Sequence, residues 1–133
     1  MSDPVGIDRL KFADQRIVKA LRAYGLHSLW ELVELTVTAQ DRRTLARSVG
    51  VSEGELLKLV RIADMCRVAS LELAELLIEA GIHTPLELAL RPLDYVLTVV
   101  ARRASELGVE QPRLEEVEEA WRKSRLLPPL FKY

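Results

Sequence analysis

The sequence predicts an all-α fold, and three observations carry that prediction. Leu, Ala, Glu and Arg, all good helix formers, dominate the 133 residues, while aromatic residues make up only 5%. Apolar residues recur at helical rather than alternating spacing, as at Ile17, Ala20, Leu21 and Tyr24. Gly and Pro, six of each, fall mostly where that spacing breaks. Hydrophobic residues at 49% and charged residues at 29% describe a folded globular chain rather than a disordered one.

The elements follow in chain order. Residues 14–24 form a first helix that Gly25 ends, glycine being able to take positive φ. Ser28 N-caps a second helix and Glu31, three positions on, completes a capping box. A third helix runs from Asp41 to Val49 and stops at Gly50. Ser52 caps a fourth, with Glu55 at its third position and Leu56, Leu59, Val60 and Ala63 facing inward. Further along, Thr84 and Glu87 repeat the box, with Pro85 at the first helical position. Pro92 opens the next helix and Gly108 closes it. Pro112 opens the last, where Leu114, Val117 and Trp121 form the expected buried stripe. Trp30 also lies on an apolar stripe and is expected in the core.

The chain compares with itself. Leu21-Arg-Ala-Tyr-Gly25-Leu-His27-Ser-Leu-Trp-Glu31-Leu32 matches Leu77-Ile-Glu-Ala-Gly81-Ile-His83-Thr-Pro-Leu-Glu87-Leu88 at an offset of 56, with Leu, Gly, His, Glu and Leu coinciding. Val49-Gly50-Val51 matches Leu107-Gly108-Val109 at an offset of 58, a register that also pairs Leu56 with Leu114, Leu59 with Val117 and Arg67 with Arg125. The chain therefore reads as two tandem four-helix repeats, each a pair of hairpins. Repeat one spans residues 1–66 with a short N-terminal arm, and repeat two spans 67–133 with a Pro-Pro tail. Units this small bury little alone, so the two are expected to share one core.

Composition also narrows the function. A formal net charge of −1 gives no overall basic field to attract nucleic acid. Cys66 is the single cysteine, which excludes an intrachain disulfide and a multi-cysteine metal site. His27 and His83 stand 56 residues apart with no third histidine, so no metal and no cofactor are expected. Nothing arranges a nucleophile with its base, and no Gly-rich phosphate loop follows a strand. The expectation is a non-enzymatic protein with no small-molecule substrate. Met-Ser-Asp-Pro-Val-Gly carries no secretion signal, and no apolar run approaches the roughly 20 residues of a membrane span, so a cytoplasmic location without membrane contact is expected.

Four hairpins share one signature, an apolar helix end, then Gly, then an aliphatic residue: Tyr24-Gly25-Leu26, Val49-Gly50-Val51, Ala80-Gly81-Ile82 and Leu107-Gly108-Val109. This resembles the helix-hairpin-helix superfamily. Gly81-Ile-His-Thr84 with Glu87-Leu88 resembles the C-terminal domain of the bacterial RNA polymerase α subunit, and Gly50-Val51-Ser52-Glu53 resembles the N-terminal domain of Rad51-type recombinases. The tandem arrangement, including Ala63-Asp64-Met65 before Arg67-Val68, is most similar to the DUF4332 family. The resemblance implies binding of the sugar-phosphate backbone without sequence readout, through amides exposed where a Gly turn enters a helix N-terminus. DNA-binding members usually carry a second Gly two positions after the first, followed by Lys or Arg. Here Ser52 and Glu110 occupy that position in the second and fourth hairpins. Many units of this kind hold proteins together instead.

Charge divides unevenly between the repeats. Residues 8–66 hold ten basic and eight acidic side chains, net +2, and residues 67–133 hold nine and eleven, net −2. Arg16 and Lys19 match polar positions that the polymerase domain uses, whereas Glu72 and Glu75 stand at the corresponding positions of repeat two. The candidate nucleic-acid contacts are therefore Arg16, Lys19, Arg43, Arg47, Gly50, Val51 and Ser52, with Gly25, Gly50, Gly81 and Gly108 as the hairpin glycines. The expected partner is DNA or RNA backbone. The rival is another protein, or a second copy of this chain, using the acidic repeat and the tail. The tail, Leu126-Leu-Pro-Pro-Leu-Phe-Lys-Tyr133, is expected to fold back and bury Leu127, Leu130 and Phe131 rather than serve as a docking peptide.

Overall fold

The structure, a computed structural model, describes residues 6–133; the first five residues of the N-terminal arm lie outside the described residues. Among the described residues, eight α-helices follow a 3-10 turn at Ile7–Arg9: α1 (Gln15–Tyr24), α2 (Leu29–Glu34), α3 (Ala39–Val49), α4 (Glu53–Met65), α5 (Leu71–Glu79), α6 (Pro85–Leu90), α7 (Leu93–Leu107) and α8 (Leu114–Ser124). Among the described residues there is no strand, only one isolated bridge between Gly6 and Ser28. The protein is all-α.

Two compact units divide the chain. Unit 1 holds residues 1–63 together with Leu130–Tyr133, and unit 2 holds Asp64–Pro129. In unit 1 the Ile7 amide donates to the His27 carbonyl at 3.0 Å, which pins the 3-10 turn to the α1–α2 loop and buries Ile7 and Leu10. The core of unit 1 is built on Val18, Leu21, Leu32, Leu56 and Leu59, each 2% exposed or less. In unit 2, α6 and α7 both pack on α8, and α5 packs on α7.

The hairpin signature has one physical origin. All four glycines take left-handed φ, from 66° at Gly108 to 113° at Gly25, where a Cβ would be strained. In each case the next residue's amide reaches back five positions: Leu26 to Leu21, Val51 to Ala46, Ile82 to Leu77 and Val109 to Ala104, all at 2.9–3.0 Å. That is the Schellman cap, and the aliphatic residue after Gly packs against the helix it has just closed. Leu26 and Ile82 are buried accordingly.

Helix starts depend on side-chain caps. Ser52 and Glu55 exchange bonds at 3.1 and 3.3 Å, a complete capping box. Thr38 and Asp41 form another, so α3 begins at Ala39 rather than Asp41. Ser28 accepts the Glu31 amide, while the Glu31 carboxylate takes the Ser28 hydroxyl instead of its amide. The Glu87 carboxylate reaches one residue beyond Thr84, to the His83 amide at 2.8 Å. Pro92 caps α7 rather than opening it. Pro112 lies outside α8, where Arg113 holds the N-cap position; neither Pro92 nor Arg113 makes a side-chain cap bond.

Several core expectations are corrected. Trp30 is 60% exposed, because Leu29, Leu32 and Val33 supply the inward face of the six-residue α2. Tyr24 is 52% exposed at the last position of α1, whose inward face is Ile17, Val18 and Leu21. On α8 the buried stripe is Val117, Ala120 and Ser124, which leaves Leu114 outside it at 66% exposed. Trp121 is only half-buried; its indole N–H donates to the Arg91 carbonyl at 2.8 Å and the Arg125 guanidinium lies over its ring.

The tail folds back within unit 1. Phe131 is buried at 7% exposed, and the Lys132 amide donates to the Val37 carbonyl at 2.9 Å. Leu127 is only half-buried and Leu130 is 39% exposed, so one aromatic rather than three apolar side chains carries the burial.

Candidate binding surface

The proposed contacts of unit 1 begin on α1. Arg16 and Lys19 lie three residues apart on its exposed face, followed at the same spacing by Arg22. Asp14 caps this helix by accepting the Arg16 amide at 2.9 Å, and its carboxylate also takes the Arg16 guanidinium at 2.9 and 3.3 Å. Those bonds to Arg16 hold the Asp14 carboxyl below the usual carboxylate range.

Arg43 and Arg47 are exposed on α3, which packs on α1. Arg43 pairs across the hairpin with Glu53 of α4 at 3.7 Å. Arg16 also feels the charge of Glu55 in the first turn of α4. The structure thus packs α1, with exposed Arg16 and Lys19, on α3, with exposed Arg43 and Arg47, and links Arg43 to the start of α4 through Glu53.

The hairpin amides are largely engaged by the chain itself. Gly50 and Val51 both donate to the Ala46 carbonyl, at 2.8 and 3.0 Å, closing α3. The Ser52 amide donates to the Glu55 carboxylate, and the Glu55 amide to the Ser52 hydroxyl. Carboxylates therefore hold the ground that a phosphate would take at this helix N-terminus, and Asp14, Glu53 and Glu55 offset much of the positive charge nearby.

A residue absent from the sequence reading proves central. Arg42 is 6% exposed, and its guanidinium donates to the carbonyls of Thr36 at 3.0 Å and Lys132 at 2.7 Å, with Val37 at 3.4 Å. The Tyr133 ring lies 5.2 Å from the same guanidinium. The available signal was its spacing: Arg42 shares the inward stripe of α3 with Leu45 and Ala46.

His27 is exposed and His83 half-buried, and no group of three or more potential metal ligands occurs among the described residues. Burial pushes the Cys66 thiol up to about 12, with the charges of Glu75 and Glu72 adding to the shift. Its thiolate fraction near neutral pH is then about a thousandfold below that of an ordinary thiol with a pKa near 9. Cys66 is half-buried, so thiol-specific reagents are expected to label it more slowly in the folded protein than after unfolding; equally fast labelling of both would contradict the raised thiol.

The fold defines a class: an all-helical protein of short, capped helices, among which no described helix is long and apolar enough to cross a membrane. Within that class the family model described as Domain of unknown function (DUF4332) matches residues 13–124, and the chain belongs to this family. No curated protein and no solved structure matches the chain.

Proposed function

We propose that the protein is a non-enzymatic binding module made of two copies of one helix-hairpin-helix unit, and that its partner is a protein. The observation that carries this reading is a pair of large apolar side chains held in solvent at corresponding places. Trp30, second residue of α2, is 60% exposed, and Leu86, second residue of α6, is 67% exposed. Leu90, one turn beyond Leu86, is 74% exposed. Tryptophan and leucine in such positions lower the cost of covering the surface with another protein. The four equivalent Schellman caps support the copy relationship.

The second hairpin favours the same choice. Backbone phosphate binding needs donors at the helix N-terminus, and here Glu55 takes the Ser52 amide and the cap of α3 those of Gly50 and Val51. One observation favours nucleic acid as a second reading: unit 1 holds eleven basic and eight acidic side chains, net +3, against eight and twelve, net −4, in unit 2.

Fluorescence anisotropy with a labelled DNA duplex at low salt decides between the two. The protein reading expects no saturable binding. Saturable binding that weakens steeply with salt, and is lost in Arg16→Glu with Lys19→Glu, would establish the nucleic-acid reading in its place.

A further inference from the structure

We propose that the α2–α3 loop and Arg42 of unit 1 form a binding site for an extended aromatic-x-aromatic segment of a partner protein, and that Leu130–Tyr133 is the built-in competitor for that site. The proposal deepens, and rests on, the reading of the partner as a protein.

Most of the site is held by bonds that do not involve the tail. Thr36, in the loop between α2 and α3, is fully buried, and its hydroxyl donates to the Leu32 carbonyl at 2.6 Å. Thr38 and Asp41 fix the other end of the loop with their capping box. The Arg42 guanidinium then ties the loop to α3 by donating to the Thr36 carbonyl at 3.0 Å. A site ordered in this way costs little further entropy when a peptide enters it.

The tail shows what the site accepts. The Lys132 amide donates to the Val37 carbonyl at 2.9 Å, and the Lys132 carbonyl accepts from the second Arg42 nitrogen at 2.7 Å. Both bonds belong to the backbone of one residue, so any amino acid except proline makes them. Specificity falls to the residues on either side. Phe131 is buried, and the Tyr133 ring lies 5.2 Å from the Arg42 guanidinium and 5.9 Å from that of Arg61. The two rings stand 5.9 Å apart, and Lys132 between them is exposed. Side chains two residues apart thus share a face, as in an extended chain. Main-chain bonds for affinity, with alternate side chains for selectivity, are how an extended peptide is recognised beside open backbone groups.

The tail fills this site only in part. Leu130 is 39% exposed and Tyr133 48%, so Phe131 alone is fully covered. A partner segment that keeps the Phe131 and Lys132 contacts and also covers those two positions gains apolar burial that the tail forgoes. Arg42 couples release to binding. It is buried, and an empty site would leave one of its N–H groups without the carbonyl it now holds, so exchanging one peptide for another costs less than losing both.

The test uses a labelled peptide of residues 126–133, blocked at both ends, and fluorescence anisotropy on the whole chain. Phe131→Ala weakens the chain's own tail. Lys132→Pro does so more gently, removing the bond to Val37 while leaving the Phe131 ring in place, and circular dichroism verifies that each variant is folded. Both variants are expected to bind the peptide saturably. The wild type should bind it at least about tenfold more weakly, because its tethered tail competes at high effective concentration. Phe131→Ala in the peptide should cost about a hundredfold in affinity, and Lys132→Pro in the peptide should also weaken it. Lys132→Ala in the peptide should stay within about threefold. Absence of saturable binding to the folded variants overturns the proposal, as does equal binding to variants and wild type, or binding indifferent to Phe131→Ala in the peptide. A wild type that dimerises in light scattering and takes up no peptide would give the site to the tail of a second copy and overturn the partner named here. Each of these results leaves the broader protein-partner reading intact; its loss is signalled separately, by saturable duplex binding.

Discussion

Phe131→Ala is expected to destabilise the protein by about 3 kcal/mol, the cost of deleting a buried aromatic side chain, and deleting Leu130–Tyr133 by at least as much. For a chain of this size that is a fall in melting temperature of roughly 10 °C. The tail holds to unit 1 at few points: the buried Phe131 ring, the Lys132 backbone on Val37, and the Arg42 guanidinium on the Lys132 carbonyl. Arg42→Ala removes the group that ties three carbonyls together and is expected to cost about 2–3 kcal/mol. Lys132→Ala, by contrast, changes only an exposed side chain and should stay within about 0.5 kcal/mol. Thermal melts of the four variants test the whole arrangement. A tail deletion that melts with the wild type would mean that the tail contributes nothing to the fold.

Leu77→Ala is expected to have an effect of the same order, about 3 kcal/mol. Leu77 is fully buried in α5, and its carbonyl accepts the Ile82 amide at 2.9 Å, so both the packing and the cap of that helix depend on its position. Trp30→Ala removes a larger side chain yet should cost no more than about 0.5 kcal/mol, because most of that ring is already in water. Urea denaturation of the two variants provides the comparison. A larger loss from Trp30→Ala than from Leu77→Ala would return Trp30 to the core.

These cases mark how far the fold was legible in the sequence. The Schellman caps could be read because Gly25, Gly50, Gly81 and Gly108 answer a local demand for positive φ, and the aliphatic residue after each sits at a fixed distance from the helix it closes. The caps at Ser28, Ser52 and Thr84, each a hydroxyl followed three residues later by a carboxylate, were readable for the same reason, whereas Thr38 with Asp41 was overlooked. The errors arose where burial depends on distant chain. Trp30 and Leu114 have the composition of core residues, but short helices bury only a narrow stripe and both fall outside it. Arg42 was overlooked for the opposite reason: a cation on an inward stripe looks like a surface residue until the carbonyls of Thr36 and Lys132 are brought to it. The candidate surface was legible as a set of cations on α1 and α3. What the sequence reading left out is that Asp14 and Glu53 fold against those cations.

Backbone-amide NMR spectra recorded at low salt with and without an added short DNA duplex test the central claim residue by residue. The account predicts that duplex leaves the amides of Ser52, Glu53 and Gly54 where they were. Movement of those three amides and of the Arg16–Lys19 turn on addition of duplex would contradict it.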